Sequence, residues 1–145
     1  MSYGETQITR MAEALSSGRW VGIETFIEMH VPDYRRRLGE MQERGARLES
    51  RYRDRVRADG TKYRAKDWRD LDAYEAAVAS VADQARMLRR SFAEKPPRSG
   101  TETVRFNAHG TTIAVTVGRL MYLTPEAFAE EVAAAWCDPF KGGAS

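Results

Sequence analysis

The stretch that decides the fold runs from Gly18 to Trp68, GRWVGIETFIEMHVPDYRRRLGEMQERGARLESRYRDRVRADGTKYRAKDW. Within it Ile23, Phe26 and Ile27 fall at i, i+3 and i+4, which predicts a short helix ending near Met29. The segment Met29-His30-Val31 makes a turn. Pro32 and Asp33 then suit the first turn of a third helix, where a missing N–H costs nothing and an acid complements the dipole. That helix runs to Gly45 with Tyr34, Leu38 and Met41 on its inner side. Pro32, Asp33, Arg36, Gly39, Glu40 and Glu43 form its outward arc, and Arg35, Arg37 and Gln42 its flanks. From Leu48 onward the period changes to two: Leu48, Tyr52 and Val56 alternate with Arg51, Arg53, Arg55 and Arg57. The Asp59-Gly60 pair favours a tight reversal, after which Lys62, Arg64 and Lys66 alternate with Tyr63 and Ala65. This reads as a two-stranded ribbon with its apolar residues turned inward and its seven cations turned to solvent.

Working outward toward the N-terminus, Ile8, Met11, Ala12 and Leu15 lie at i, i+3, i+4 and i+7, one face of a first helix that Gly18 ends. A short apolar link, Trp20-Val21, joins it to the second helix. The chain from 1 to 69 is therefore expected to be one small module of three helices and a hairpin.

Charge is unevenly distributed. The whole chain carries +2, but Arg35 to Lys66 holds twelve Lys and Arg against five acids, leaving −5 for the remainder. Such asymmetry implies a polyanionic partner for the first module and not for the second. Arg35, Arg36, Arg37 and Gln42 are the candidates for base edges, because Arg pairs bidentately with guanine and Gln with adenine. Arg51, Arg53, Arg55, Arg57, Lys62, Arg64 and Lys66 are the candidates for phosphates. The competing reading is that a basic strand face only prevents edge-to-edge aggregation. RNA could occupy the same ribbon, although no aromatic stacking platform is apparent on it.

The residues Gly18, Arg19, Trp20, Val21, Tyr34, Arg37, Leu38, Gly45 and Leu48, followed by a charged hairpin, give this half a resemblance to the small winged helix-turn-helix domains of phage and prophage genomes. Those domains show a Gly-Arg-Trp-Val step before the second helix, an Arg-rich third helix and a Gly before the first wing strand. The present chain departs by placing Glu40 and Glu43 on the exposed arc. The resemblance implies a regulator or architectural factor on double-stranded DNA, in the cytoplasm of a bacterial host.

From 70 to 138 a second module is expected, with a flexible tail at 139–145. Leu71, Tyr74, Val78, Val81, Ala85, Leu88 and Phe92 follow at alternating spacings of three and four, predicting a helix of about 25 residues. The narrow seam suits pairing with the same helix of a second chain, making a homodimer, or packing within one chain. Pro96 and Pro97 end the helix. Val104, Phe106 and Ala108 alternate, as do Ile113, Val115 and Val117 across a turn at His109-Gly110, predicting a hairpin with a third short strand at Arg119–Leu123. Thr124 caps and Pro125 opens a final helix bearing Phe128, Val132 and Trp136 on one face. This order resembles nucleoid-associated proteins of the YbaB type, which implies dimerisation and carries no site residues.

The fold class is thus α+β. The lone Cys137 offers neither a disulfide nor a thiolate pair for a metal, and His30 and His109 stand apart from any nucleophile or ligand set. No phosphate-binding glycine loop occurs, so neither an enzyme nor a cofactor is expected. No apolar run reaches the roughly 20 residues of a spanning helix, and no membrane partner is expected. Beside the DNA-binding reading stands an adaptor in which the winged helix no longer binds DNA and the heptad helix meets a host or phage protein.

Overall fold

The computed structural model describes residues 2–108 and 111–138, an α+β chain that divides into two compact units, 1–73 and 74–145. The expected turn at His109-Gly110, the side chain of Trp136 and the tail at 139–145 lie outside the described residues.

The first unit opens with α1, Tyr3–Leu15, capped by Ser2, whose hydroxyl accepts from the Glu5 N–H at 3.2 Å. Gly18, at φ 78°, lets the chain leave the helix. Trp20 and Val21 do more than link: Val21–Gly22 is a strand, β1, antiparallel to the far strand of the hairpin. The helix α2, Ile23–Glu28, follows directly, then α3, Tyr34–Glu43. The latter starts two residues after Pro32, so Pro32 and Asp33 belong to the approach and not to the first turn. Strands β2, Leu48–Val56, and β3, Lys62–Asp70, complete a sheet of order β1-β3-β2.

Both α2 and α3 end in the same hydrogen-bonded device. After α3 the Ala46 and Gly45 N–H groups reach back to the Met41 and Gln42 carbonyls, with Gly45 at φ 102°. After α2 the Val31 and His30 N–H groups do the same to Phe26 and Ile27, but His30 occupies the left-handed position at φ 59°. The bend aims Val31 into the core.

That core is Met11, Leu15, Val21, Phe26, Val31, Leu38 and Met41, closed over by Ile8, Tyr34, Leu48 and Trp68. Full burial of a side chain such as Phe26 or Leu38 is worth about 1.5–3 kcal/mol. Two expected core positions differ: Ala12 and Ile27 are exposed, while Gln7 is buried and accepts from Arg37 Nε at 2.9 Å.

In the second unit, the helix α4, Leu71–Glu94, packs its seam against the hairpin β4, Thr103–Ala108, and β5, Thr111–Thr116, and against α6, Pro125–Trp136. The core joins Ala77, Val81, Ala82 and Ala85 of α4 to Phe106, Leu120, Phe128, Ala129, Val132 and Cys137. The Phe106 and Phe128 rings meet at 5.1 Å in a tilted pair. One expectation is corrected. The segment expected as a third strand is α5, Val117–Tyr122, because the Thr116 hydroxyl caps it and Val117 and Leu120 bury one turn apart. Of the two roles open to the α4 seam, pairing with a second chain or packing within one, the structure shows the packing within the chain: Val81 and Ala85 are fully buried, and Tyr74, Val78, Leu88 and Phe92 cover the same cluster. Leu71 lies in the first unit and takes no part. As expected, Thr124 caps α6, accepting from the Ala127 N–H at 3.2 Å.

Candidate nucleic-acid interface

Both strands alternate as their sequence dictates, but while Lys62 and Arg64 of β3 face outward as expected and Ala65 inward, the sides of β2 are exchanged. Register pairs Arg51 with Asp67, Arg53 with Ala65 and Arg55 with Tyr63, so one face carries the β2 arginines together with Asp67 and Arg69. The other carries Tyr52, Asp54 and Val56 with Arg64, Lys66 and Trp68. The arginine face is the covered one. Arg55 is buried with its side chain 6% exposed, whereas Tyr52 and Val56 are 60% and 65% exposed. The expectation that Arg51, Arg53 and Arg55 point to solvent is therefore corrected.

The physical reason is a single carboxylate. Asp67, fully out of water, accepts from Arg51 Nε at 3.1 Å and Arg53 Nε at 3.0 Å, and also binds the Arg55 guanidinium. Arg55 further donates to the Ala65 carbonyl at 2.7 Å and pairs with Glu24 at the start of α2. A buried charge persists only when paired and hydrogen-bonded, and here every arginine of the inner face finds such partners. Gly22 lies against this hub, where a Cβ would come within 2.9 Å of Arg55 Nη2 and 3.3 Å of Asp67 Oδ1, so β1 can approach only without a side chain. Trp20 covers the remaining space, with the Arg51 and Arg69 guanidinium groups each 4.4 Å from its ring centroid. Arg69 also binds Glu49, its cross-strand neighbour, with Nε 2.9 Å from the carboxylate.

The opposite face, with the start of α3, forms a cleft of about 440 Å³ lined by Ile23, Tyr34, Arg35, Tyr52, Arg64, Ala65, Lys66 and Trp68. Its cations are held by aromatic rings. Lys66 Nζ lies 5.3 Å from the Tyr52 centroid and 5.5 Å from that of Trp68. The Arg64 guanidinium is 5.2 Å from the Tyr52 ring, and that of Arg35 is 5.8 Å from the Tyr34 ring. No carboxylate is among the lining residues. The nearest acid partner is Asp54, 3.6 Å from Arg64 in a pair exposed on both sides, a contact worth little in water.

The expected residues thus fall into separate groups. Arg35, Arg64 and Lys66 converge on the cleft. Arg36 and Gln42 are exposed on α3, with Arg36 Nε 3.4 Å from Glu40. Lys62 and Arg57 are exposed near the hairpin tip, Arg57 lying 4.3 Å from the Tyr63 ring centroid. Arg37 is withdrawn toward α1, its side chain 11% exposed and bonded to Gln7 and Glu40. Arg51, Arg53 and Arg55 form the internal hub. Sequence reasoning missed Tyr34, Tyr52 and Trp68 as a group: Tyr52 is exposed, and Tyr34 and Trp68 are half-buried beside it in the cleft. Tyr52 and Trp68, two aromatic residues at strand positions that share a face with Arg64 and Lys66, are the signal that would have found it.

Comparison of the chain with protein-family models, with curated proteins and with solved structures gives no match. Among the described residues no group of three His, Cys, Asp or Glu could hold a metal ion, and no helix is long and apolar enough to cross a membrane.

Proposed function

We propose that the first unit is a winged helix-turn-helix that binds duplex DNA without catalysing a reaction, through the start of α3 and the outer face of its hairpin. The observation that carries this reading is the cleft where Arg35 of α3 meets Arg64 and Lys66 of β3 with no acid between them. Each such cation can neutralise a phosphate and release counterions. The element order α1-β1-α2-α3-β2-β3, with a sheet ordered β1-β3-β2, supports the reading, since it sets a helix and a hairpin side by side. Arg36 adds a base-reading candidate, because an exposed pair with Glu40 is weak enough to be exchanged for a guanine or a phosphate.

A second reading, a protein-interaction adaptor, draws on Glu40, which engages both Arg36 and Arg37 and lowers the charge that α3 presents. Polarisation titration of a labelled duplex at two salt concentrations separates the readings. Binding that weakens steeply with salt is expected of the first, and no binding at low salt leaves the second.

A further inference from the structure

We propose that the cleft between α3 and the hairpin takes one unpaired nucleotide, its base against Tyr52 and its phosphates on Arg35, Arg64 and Lys66. This rests on the nucleic-acid reading of the same site and names what part of the ligand enters it.

The size of the cleft comes first. A volume of about 440 Å³ is that of a site for a single small molecule. It admits one nucleotide, while a base-paired duplex can only lie across the rim. The chemistry of the lining comes second. Tyr52 leaves 60% of its surface open on a sheet face. An aromatic residue so displayed gains nothing from the core. Bases stack on such rings irrespective of sequence, and the ring is already electron-rich enough to hold Arg64 and Lys66 near it. An acidic peptide would satisfy the three cations and leave the rings without a flat partner. A nucleotide uses both, because it joins a planar base to an anionic phosphate. Finally, Arg35 and Arg36 are consecutive on α3, one lining the cleft and the other exposed beside Glu40. A strand leaving a duplex held at Arg36 would meet the cleft at its first unpaired position.

The test compares a blunt DNA duplex with the same duplex carrying a short single-stranded tail, with 2-aminopurine at the first unpaired position. The tailed duplex is expected to bind about tenfold more tightly, with quenching of 2-aminopurine fluorescence. Tyr52→Ala should abolish both the preference, read as the ratio of the two affinities, and the quenching, whatever it does to the affinity for blunt duplex through Arg64 and Lys66, and Tyr52→Phe should keep both, since stacking needs the ring and not the hydroxyl. Equal affinity for the two duplexes, or a preference that survives Tyr52→Ala, overturns the proposal and leaves duplex binding standing. Failure to bind either duplex at low salt overturns this proposal together with the duplex-binding reading on which it rests.

Discussion

The Arg55 guanidinium and the Asp67 carboxylate bind each other out of contact with water, the one 6% and the other 0% exposed. Arg51 and Arg53 share the same carboxylate, so Asp67 compensates three cations at once. Removing one partner of a buried pair leaves an uncompensated charge, and Asp67→Ala is expected to cost about 3–5 kcal/mol. The double variant Arg55→Met/Asp67→Leu should cost less than Asp67→Ala, because Arg51 and Arg53 are only partly buried and can turn to water. Urea unfolding followed by tryptophan fluorescence measures both, and a double variant that is the less stable of the two would contradict this account.

The same hub separates cations that fold the unit from cations available to a ligand. Arg35→Ala, Arg36→Ala and Lys66→Ala are each expected to weaken duplex binding and to reduce the salt slope by about one, with stability nearly unchanged. Arg53→Ala and Arg55→Ala should lower the unfolding midpoint, and any loss of affinity should follow the unfolded fraction. Paired melting curves and salt titrations decide it. A folded Arg55→Ala with a flattened salt slope would return the inner arginines to the interface.

How far the fold was legible follows from where the decisive contacts lie. Period in the sequence marked both strands of the first hairpin, the turn at Asp59-Gly60 and the long helix, because each depends on neighbours a few residues apart. Period does not say which face is inside. Tyr52 and Val56 invited an apolar interior, and the arginines won it because Asp67 stands opposite Arg51 and Glu24 reaches Arg55. Counting back from the turn pairs Val56 with Lys62 and hence Arg51 with Asp67, so the carboxylate on the arginine face could have been found. The two-residue β1 carries no periodic signal, and its pairing with β3 is a purely tertiary fact. In the second unit, Val117 continues a β-branched alternation, and only the Thr116 cap distinguishes α5 from a strand.

The α4 seam yields a prediction that separates core from interface. Val81 is fully buried among Phe106, Phe128 and their neighbours. Val81→Asp places a carboxylate there without a partner, a cost of several kilocalories per mole. The second unit is expected to unfold, with loss of helical circular dichroism. A variant that stays folded and merely changes its sedimentation would assign Val81 to a subunit contact.

A pH dependence is expected at the junction of α4 and α6. The Arg86 side chain, hydrogen-bonded to Glu126, holds that carboxyl below its ordinary value of 4.5. The unfolded chain then binds the proton more readily than the folded one. The pair's contribution is complete above the ordinary value and drains away as pH falls below it. Thermal unfolding of the wild type and Glu126→Gln should differ by a constant amount from neutrality to about pH 5, with the gap closing in more acid solution. A gap that widens there would invert the sign.

His30 supplies the last test, because it holds a left-handed conformation at φ 59° in the turn between α2 and α3. A side chain there costs about 1–2 kcal/mol against the right-handed region. Glycine removes that strain but loses more backbone freedom on folding, at about 0.5–1 kcal/mol. The difference leaves His30→Gly more stable by about 0.5–1 kcal/mol. His30→Val should be destabilised, since a branched side chain meets the backbone most severely in this region. The Gly45 position after α3 carries the same hydrogen bonds with glycine already in place, so Gly45→Ala should lose what His30→Gly gains. Chemical denaturation of the three variants reads the whole series, and a His30→Gly variant less stable than the wild type would show that the imidazole contributes more to the turn than its backbone strain removes.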